Sequence, residues 1–342
     1  MAAEFIRWTA FALPASLLGR CFIALNAAVS RPRITMWVSL GMLALKAPLN
    51  AVFMYGWLGF PAMGGGGAGI SFFVLSWLSL FAFLAIWKFD KFYRPMHVEK
   101  FVGPRWELLK NHLHVGVPMG LSTFFEVSSF TLMAIFISRL GEETVSAHQI
   151  VANLTSMLYM VPLSLGIASS VLISQSLGAR WPAVAEFILR RTLKISIVIA
   201  AVLATLLYIF KGNVIALYTS DAGVAATAAA LVAFGCTYHV FDAMQAVSSF
   251  ALRGYRVTRA PMFIYGIMLW GVGIGIGYQL AFGAEWAGGP YGAFGFWGAT
   301  AVGLILTGLS LLAMALWVGR QRSRDEHHSP EEVERVIREA RA

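Results

Sequence analysis

The sequence predicts an all-α membrane protein, a helical bundle with about nine spanning helices. Of its 342 residues, 58% are hydrophobic and only 13% are charged, and long apolar runs recur along the chain. A run of about 20 apolar residues crosses a hydrocarbon core of about 30 Å as a helix. These runs are too long and too continuously apolar for barrel strands, and a helix satisfies its own backbone hydrogen bonds in lipid.

Each predicted span is bounded by a loop rich in charge or glycine. The first span ends before the basic segment SRPR, and the glycine-rich segment LGFPAMGGGG separates the second from the third. Charged loops separate the third to seventh spans, RVTRAP opens the eighth, and GGPYG precedes the ninth. We therefore predict helices over residues 5–29, 34–57, 66–88, 112–139, 144–177, 190–218, 222–252, 258–283 and 292–319.

Basic residues predict the orientation of these spans. Of the 26 Lys and Arg residues, 21 lie in the loops after the first, third, fifth and seventh helices or in the tail. The alternate loops hold only Arg139 and Lys211. By the positive-inside rule, the C-terminus is expected in the cytoplasm and the N-terminus outside. The net charge of +9 then reflects topology and contact with anionic lipid, so we expect no nucleic-acid partner.

Motifs for catalysis and metal binding are weak. Cys21 and Cys236 each lie in an apolar run and give no metal or disulfide framework. The segment GVGIGIGYQ is glycine-rich, but it lies inside a span without a preceding strand, so it does not predict a nucleotide site. The sequence contains no GxxxxGK[ST] motif. We therefore predict neither an enzyme nor an ATP-driven pump, and no cofactor.

The chain contains an internal repeat. SRPRITM and YRVTRAPM each open a helix, and an offset of 226 residues aligns Arg33 with Arg259 and Met36 with Met262. Each segment is followed by a span, a glycine-rich loop and another span. Transporters are often built from two such repeats, and three helices of the second half have no partners in the first. We therefore expect three further helices before Met1; the alternative is a nine-helix protein with a coincidental repeat.

The repeat also divides the chain. Residues 1–88 would be the remainder of a first lobe, residues 89–111 a cytoplasmic linker, residues 112–319 a complete six-helix lobe, and residues 320–342 a cytoplasmic tail. In the tail, Ser329 precedes Pro330 and Glu332 takes the third helical position, the pattern of an N-cap with a capping box. This pattern predicts a short tail helix, with a solvated tail as the alternative.

Two acidic residues, Glu126 and Asp242, lie well inside predicted spans. Such carboxylates normally face a protein interior or a watery cavity, and they often mark ion or proton pathways. Protonation or a bound cation is the natural way to neutralise a carboxylate that is partly removed from water. The alternative is a hydrogen-bonded carboxyl group that only holds helices together.

Several neighbours of the carboxylates are candidates for the same site. Tyr238 lies four residues before Asp242 and Gln245 three after it, so both share its helix face. On the fifth helix, Gln149 and Asn153 lie along one side, and Tyr159 lies on the adjacent face. Polar residues of this kind either hold helices together or contact ligands. Phe125 is either a packing residue or part of a lining for bulky apolar substrates.

Three segments resemble the multidrug and toxic compound extrusion (MATE) family, specifically its NorM-like bacterial branch. They are GVPMGLSTFFEVSSF, VSAHQIVANLTSMLYMVPLSLGIASSVLISQSLGA and DAMQAVSSFALRGYRVTRAPM. The resemblance covers nearly the whole chain up to the tail. It implies two six-helix lobes in the bacterial inner membrane, where entry of Na⁺ or H⁺ drives export of cationic, often aromatic, compounds. We expect a monomer whose partners are the lipid bilayer and these small substrates.

The resemblance also assigns roles to residues. It places the coupling site at Glu126 and Asp242, which would be metal ligands if Na⁺ is the coupling ion. It sets Tyr238 beside this site and implicates Gln149 and Tyr159. We further expect Gln149, Phe125, Asn153 and Gln245 to line the substrate cavity.

The acidic residue in the family's first helix has no counterpart in this chain, so an inactive fragment is one expectation. One alternative is a related lipid-linked oligosaccharide flippase, for which a cationic central cavity is expected. Only Arg20 and Lys46 are cations well within a span, and this counts against a flippase. The other alternative is a non-transporting membrane fragment.

Overall fold

The computed structural model describes residues 2–96, 103, 105–283, 285, 288–324, 332 and 335. Within these residues there is no β-strand, and nine helices are long and apolar enough to cross a membrane, which confirms the predicted fold class. They are α1 (Ala2–Ala28), α2 (Pro32–Tyr55), α3 (Gly65–Phe89), α4 (Trp106–Ile137), α5 (Glu142–Gly178), α6 (Pro182–Ala216), α7 (Ala222–Gly254), α8 (Arg259–Phe282) and α9 (Gly292–Arg324).

Three helices extend further into charged sequence than predicted. α4 begins at Trp106 rather than residue 112, α6 begins at Pro182 rather than residue 190, and α9 continues to Arg324. In α6, the Arg190 guanidinium lies 2.6 Å from a Glu186 carboxylate oxygen, and this i, i+4 pair supports helix through the charged segment. The predicted linker therefore ends inside a helix. The predicted tail helix falls mostly outside the described residues. Within it the structure describes Glu332 and Arg335, and both are helical.

The chain divides into two compact units, Met1–Gly103 and Pro104–Ala342. In the first unit, α3 packs against both α1 and α2. A short 3₁₀ turn after α3, Lys91–Met96, carries Tyr93 into the interior, where its hydroxyl donates to the Asn26 side chain.

The same turn is joined to the start of α2 by an ion pair. The Arg31 guanidinium lies 2.7 Å from the Asp90 carboxylate and 4.5 Å from the centre of the Phe92 ring. The Phe92 backbone N–H and the Arg31 guanidinium together hold the pKa of Asp90 below its usual value. These contacts tie the end of α3 to the turn between α1 and α2.

In the second unit, α7 is the central helix and packs against α5, α6 and α9. Small residues allow these close approaches. A Cβ atom on Gly235 of α7 would lie 2.8 Å from the Thr155 methyl group of α5, and one on Gly308 of α9 would lie 2.5 Å from the Phe241 carbonyl oxygen. Close helix contact at small residues is typical of membrane bundles.

The turn between α1 and α2 has the same backbone geometry as the turn between α7 and α8. Ser30 and Arg256 each take a left-handed conformation, with φ of 58° and 61°. The N–H of the following residue donates to the carbonyl five residues before it, at 2.8 Å in both turns. This pattern is typical of helix C-termini. The two turns are related by the 226-residue offset of the sequence repeat, and the turn at Arg180 between α5 and α6 follows the same pattern.

A π-helical segment, Gly266–Ile276, interrupts α8. Its glycines weaken the preference for a regular α-helix, and it packs against α4 and α9. A Cβ atom on Gly303 of α9 would lie 2.7 Å from the Met268 carbonyl oxygen, so the backbones approach closely there. π segments often occur at functional sites, and this one faces the part of α4 that carries Glu126.

The glycine-rich start of α3 allows a test of packing in the first unit. A Cβ atom on Gly67 would overlap the Phe53 backbone of α2, whereas one on Gly65 would meet nothing within 4 Å. We therefore expect Gly67→Ala to lower stability by about 1–3 kcal/mol. Gly65→Ala should change stability by less than about 0.5 kcal/mol. Thermal unfolding of both variants in detergent measures the difference, and equal unfolding temperatures would contradict this packing.

Candidate functional site

The candidate site centres on Glu126, which is half-buried in the middle of α4. Two side chains donate hydrogen bonds to the same carboxylate oxygen, Oε1. The Tyr159 hydroxyl of α5 lies 2.9 Å from it, and the Gln245 amide nitrogen of α7 lies 3.0 Å from it. Hydrogen bonds to a carboxylate oxygen are among the stronger ones in proteins. Three helices thus meet at one carboxylate oxygen.

Gln245 extends this network to α8. The residue is completely buried, and its Nε2 also donates to the Tyr265 hydroxyl at 2.7 Å. Its carbonyl oxygen, Oε1, is buried and has no hydrogen-bond partner among the described residues. A buried amide oxygen without a partner is costly, so this atom is a free acceptor for a proton donor or a cation.

Asp242 lies on α7 less than one turn before Gln245 and is only 8% exposed. Its carboxylate interacts electrostatically with that of Glu126 and with the Tyr159 hydroxyl. Two negative charges with little access to water repel each other strongly. A proton or a cation between them therefore lowers the free energy of the pair.

An aromatic group of α4 and α8 lies next to Glu126 along the chain. The Phe125 and Trp270 rings meet edge-to-face with centroids 5.7 Å apart, and the Phe124 ring lies 6.1 Å from Trp270. The Trp270 indole N–H donates to the Ser128 hydroxyl at 3.1 Å. The π segment of α8 therefore presents an aromatic surface to the residues on both sides of Glu126.

Tyr238 lies one turn before Asp242 on α7, as its spacing predicts, but it points into a different environment. It is 2% exposed and stacks on Trp297 of α9, with ring centroids 6.1 Å apart and an interplanar angle of 18°. Among the hydrogen bonds of the described residues, none joins Tyr238 to Glu126. Its contact with the site is through the charge of Asp242.

Gln149 and Asn153 lie apart from the carboxylates. They line a cavity of about 450 Å³ on the exposed face of α5, together with Ser156 and Tyr218. The Tyr218 hydroxyl donates to the Asn153 side-chain oxygen at 2.9 Å. Asn153 and Tyr159 are six positions apart on α5, a distance of roughly 9 Å along the helix. The structure thus separates the predicted residues into two groups. We call Glu126, Asp242, Tyr159 and Gln245 the carboxylate cluster, and the space lined by Gln149 and Asn153 the neutral polar cavity.

The donor set of the carboxylate cluster consists of oxygens. Within the described part of the chain, no group of three or more His, Cys, Asp or Glu side chains could hold a metal ion. Two carboxylates, an amide oxygen and a tyrosine hydroxyl suit a hard cation such as Na⁺, or a proton.

Comparison with known proteins identifies the family. The MatE family model matches residues 118–279, which include both carboxylates. The probable multidrug resistance protein NorM of Aromatoleum aromaticum is 40% identical over 304 residues, which cover 89% of this chain and 66% of that protein. The protein of the same name from Neisseria meningitidis serogroup B is 35% identical over 314 residues, which cover 91% of this chain and 67% of that protein.

The chain belongs to the MATE family. It spans about two thirds of the length of the curated relatives that it matches. A solved structure of the MATE transporter NorM-NG, in a complex that includes a monobody, is 33% identical with a TM-score of 0.72, over 87% of this chain and 65% of that one. Members of the MATE family are transporters, and the prediction that this chain is not an enzyme is confirmed.

The sequence analysis did not predict three residues near the carboxylates or the polar cavity: Tyr265, Trp270 and Tyr218. Tyr265 carried a signal, because a buried tyrosine in a membrane span needs a hydrogen-bond partner for its hydroxyl. The positions of Trp270 and Tyr218 depend on the π segment of α8 and on the end of α6. Neither feature follows from helix periodicity.

The hydrogen bonds of Gln245 predict a stability difference within the second unit. Gln245→Leu removes one hydrogen-bond donor from Glu126 and one from the Tyr265 hydroxyl. We expect a loss of about 1–3 kcal/mol, because buried polar groups are costly when unsatisfied. Gln149→Leu, at an exposed position of the MATE fold, removes the same amide with little effect. Thermal unfolding in detergent should show a lower midpoint for Gln245→Leu and an unchanged midpoint for Gln149→Leu. Equal midpoints would contradict this role of Gln245.

Proposed function

We propose that this MATE protein is a cation-coupled antiporter that exports cationic drugs and xenobiotics. The observation that carries the proposal is the pair of carboxylates, Glu126 and Asp242, close to each other inside a membrane bundle and beside a free amide oxygen. Intramembrane carboxylates in this arrangement are typical of ion pathways. The names of its NorM relatives, multidrug resistance proteins, support the drug class.

Each residue of the carboxylate cluster has a distinct part in the proposed mechanism. Glu126 and Asp242 hold the coupling ion, because each offers a carboxylate whose charge the ion neutralises. Tyr159 and Gln245 fix the position of the Glu126 carboxylate through their two hydrogen bonds. Release of a cationic substrate follows when the ion takes up the same negative charge, so the two cations compete. A ligand shifts a conformational equilibrium only through its different affinities for the states.

The free Gln245 oxygen bears on the choice of coupling ion. Na⁺ binds through several oxygen atoms, whereas a proton needs only one carboxylate. The Gln245 side chain donates to Glu126 through Nε2. Its Oε1 atom has no hydrogen-bond partner among the described residues. This favours Na⁺ and supports Glu126 and Asp242 as its ligands, with proton coupling as the alternative.

The substrate-facing surfaces differ in chemistry. Phe125 and Trp270 offer aromatic faces next to Glu126, which suits a planar aromatic cation through stacking and cation–π contact. Gln149 and Asn153 line a neutral polar cavity that offers hydrogen bonds without charge. We infer that the aromatic surface contributes affinity for cations and that the polar cavity adapts to different substrates.

We infer a monomer in the bacterial inner membrane with its C-terminus in the cytoplasm. The distribution of Lys and Arg supports this orientation, because the ends of α1, α3, α5, α7 and α9 carry most of the basic residues. In this orientation α4 starts, and α7 ends, at the cytoplasmic surface. Fusion of a reporter to each terminus tests the orientation.

The test of coupling uses Glu126→Gln and Asp242→Asn in the purified protein. Each substitution keeps size and removes the charge, so we expect ion-dependent drug efflux to fall by more than about tenfold. Efflux from proteoliposomes is measured separately under a Na⁺ gradient and under a pH gradient. A Na⁺ requirement at constant pH identifies Na⁺ as the coupling ion.

Glu142→Gln is the matched control for these variants. Glu142 is exposed in the first turn of α5, outside the carboxylate cluster, and its loss removes the same charge. We expect this variant to transport as the unaltered protein does. If Glu126→Gln and Asp242→Asn also retain ion-coupled efflux, the proposed coupling site is wrong.

A further inference from the structure

Arg253, near the end of α7, is oriented differently from the other basic residues of its turn. Its Nη2 atom lies 3.4 Å from the Thr123 hydroxyl of α4, and its guanidinium lies 4.4 Å from the centre of the Phe250 ring. Phe250 is one turn earlier on α7. The side chain therefore runs back along α7 toward α4, the usual direction for a helical side chain.

The other arginines of this turn remain at the surface. Arg256 and Arg259 are both exposed, and Arg259 lies 3.2 Å from the ring nitrogen of His114. Long basic side chains at the end of a membrane helix normally extend to the headgroup region. Arg253 is half-buried instead, against Phe250 of its own helix and Thr123 of α4.

The guanidinium of Arg253 lies near the carboxylate cluster. Thr123, its hydrogen-bond partner, is three residues before Glu126 on α4, so the two side chains are neighbours on the helix surface. Arg253 also interacts electrostatically with the Tyr265 hydroxyl, which is bonded to Gln245. Because Thr123 precedes Glu126 along α4, Arg253 lies on the side of Glu126 from which α4 begins, which is the cytoplasmic side in the proposed orientation.

The charge of Arg253 is not neutralised by a carboxylate. Among the ion pairs found in the described part of the chain, such as Arg31 with Asp90 and Arg190 with Glu186, none involves Arg253. Its partners are a hydroxyl group and an aromatic ring, which hold a guanidinium in place without cancelling its charge. A fixed positive charge therefore lies about 10 Å or less from Glu126, as judged from the spacing of helix neighbours.

We propose that Arg253 controls release of the coupling cation on the cytoplasmic side. Its positive charge lowers the affinity of the Glu126 and Asp242 site for a cation and repels cations that approach from the cytoplasm. The ion therefore leaves quickly once the site opens to that side. This inference rests on the proposed antiport and adds a residue that sets the rate and affinity of the ion step without contacting the ion.

The expected effect follows from the distance. At about 10 Å and an effective dielectric constant of about 20, two unit charges change a binding constant roughly tenfold. We therefore expect Arg253→Gln to bind Na⁺ or H⁺ about tenfold more tightly and to turn over more slowly. Arg253→Lys keeps the charge and should remain close to the unaltered protein. Arg256→Gln removes the same charge at an exposed position and should change neither quantity.

The experiment measures ion binding and transport on the same purified proteins. Binding of radioactive Na⁺ and the infrared band of the protonated carboxyl groups report the affinities for the two ions. Efflux from proteoliposomes gives the half-saturating ion concentration and the maximal rate. The proposal predicts that both values fall in Arg253→Gln, that Arg253→Lys restores both, and that Arg256→Gln alters neither.

Two outcomes separate this inference from the proposed function. If the unaltered protein binds an ion that Glu126→Gln does not bind, and Arg253→Gln binds it with unchanged affinity, the role of Arg253 is wrong and the antiport proposal stands. A lower unfolding temperature of Arg253→Gln with unchanged ion affinity would likewise assign Arg253 to packing only. If the unaltered protein binds neither ion, both proposals fail.

Discussion

Two carboxylates lie inside the membrane bundle of the second unit, and the polar contacts around them compensate for the cost of burying their charge. Glu126 and Asp242 repel each other where little water screens their charges. Tyr159 and Gln245 offset part of the cost by donating two hydrogen bonds to one Glu126 oxygen. Gln245 is in turn held by Tyr265. These contacts join α4, α5, α7 and α8, so the charge of Glu126 is coupled to the positions of four helices.

In the proposed antiport, this network is the physical link between ion binding and helix movement. Because the hydrogen-bond network at Glu126 reaches three other helices, a change in its charge alters the balance of contacts between those helices. The π segment of α8 lies directly against this region and carries Trp270, which packs on Phe125. A π segment has a backbone register that differs from that of the flanking α-helix. Glu126 and the aromatic surface are therefore carried by α4 and α8, which pack against each other.

The two units of the chain share local geometry although their sequences differ. The turns at Ser30 and Arg256 have the same left-handed conformation and the same closing hydrogen bond. Their surroundings have diverged. In the first unit the turn is held by the half-buried ion pair of Arg31 with Asp90, whereas in the second an arginine just before the turn points back toward α4. A repeated backbone element thus supports a structural contact in one unit and, in our proposal, an ion-release function in the other.

The sequence by itself determined the helical class, the nine spans and the two intramembrane carboxylates, because hydrophobic length and isolated charges are local properties of a chain. It also placed Tyr159 and Gln245 near the carboxylates, through helix periodicity and family resemblance. Only the tertiary structure decided that both donate to Glu126, that Tyr238 stacks on Trp297, and that Gln149 and Asn153 line a separate cavity. Tyr265, Trp270 and Arg253 join the site through contacts between helices far apart in sequence, and helix periodicity specifies a face without specifying which helix packs against it.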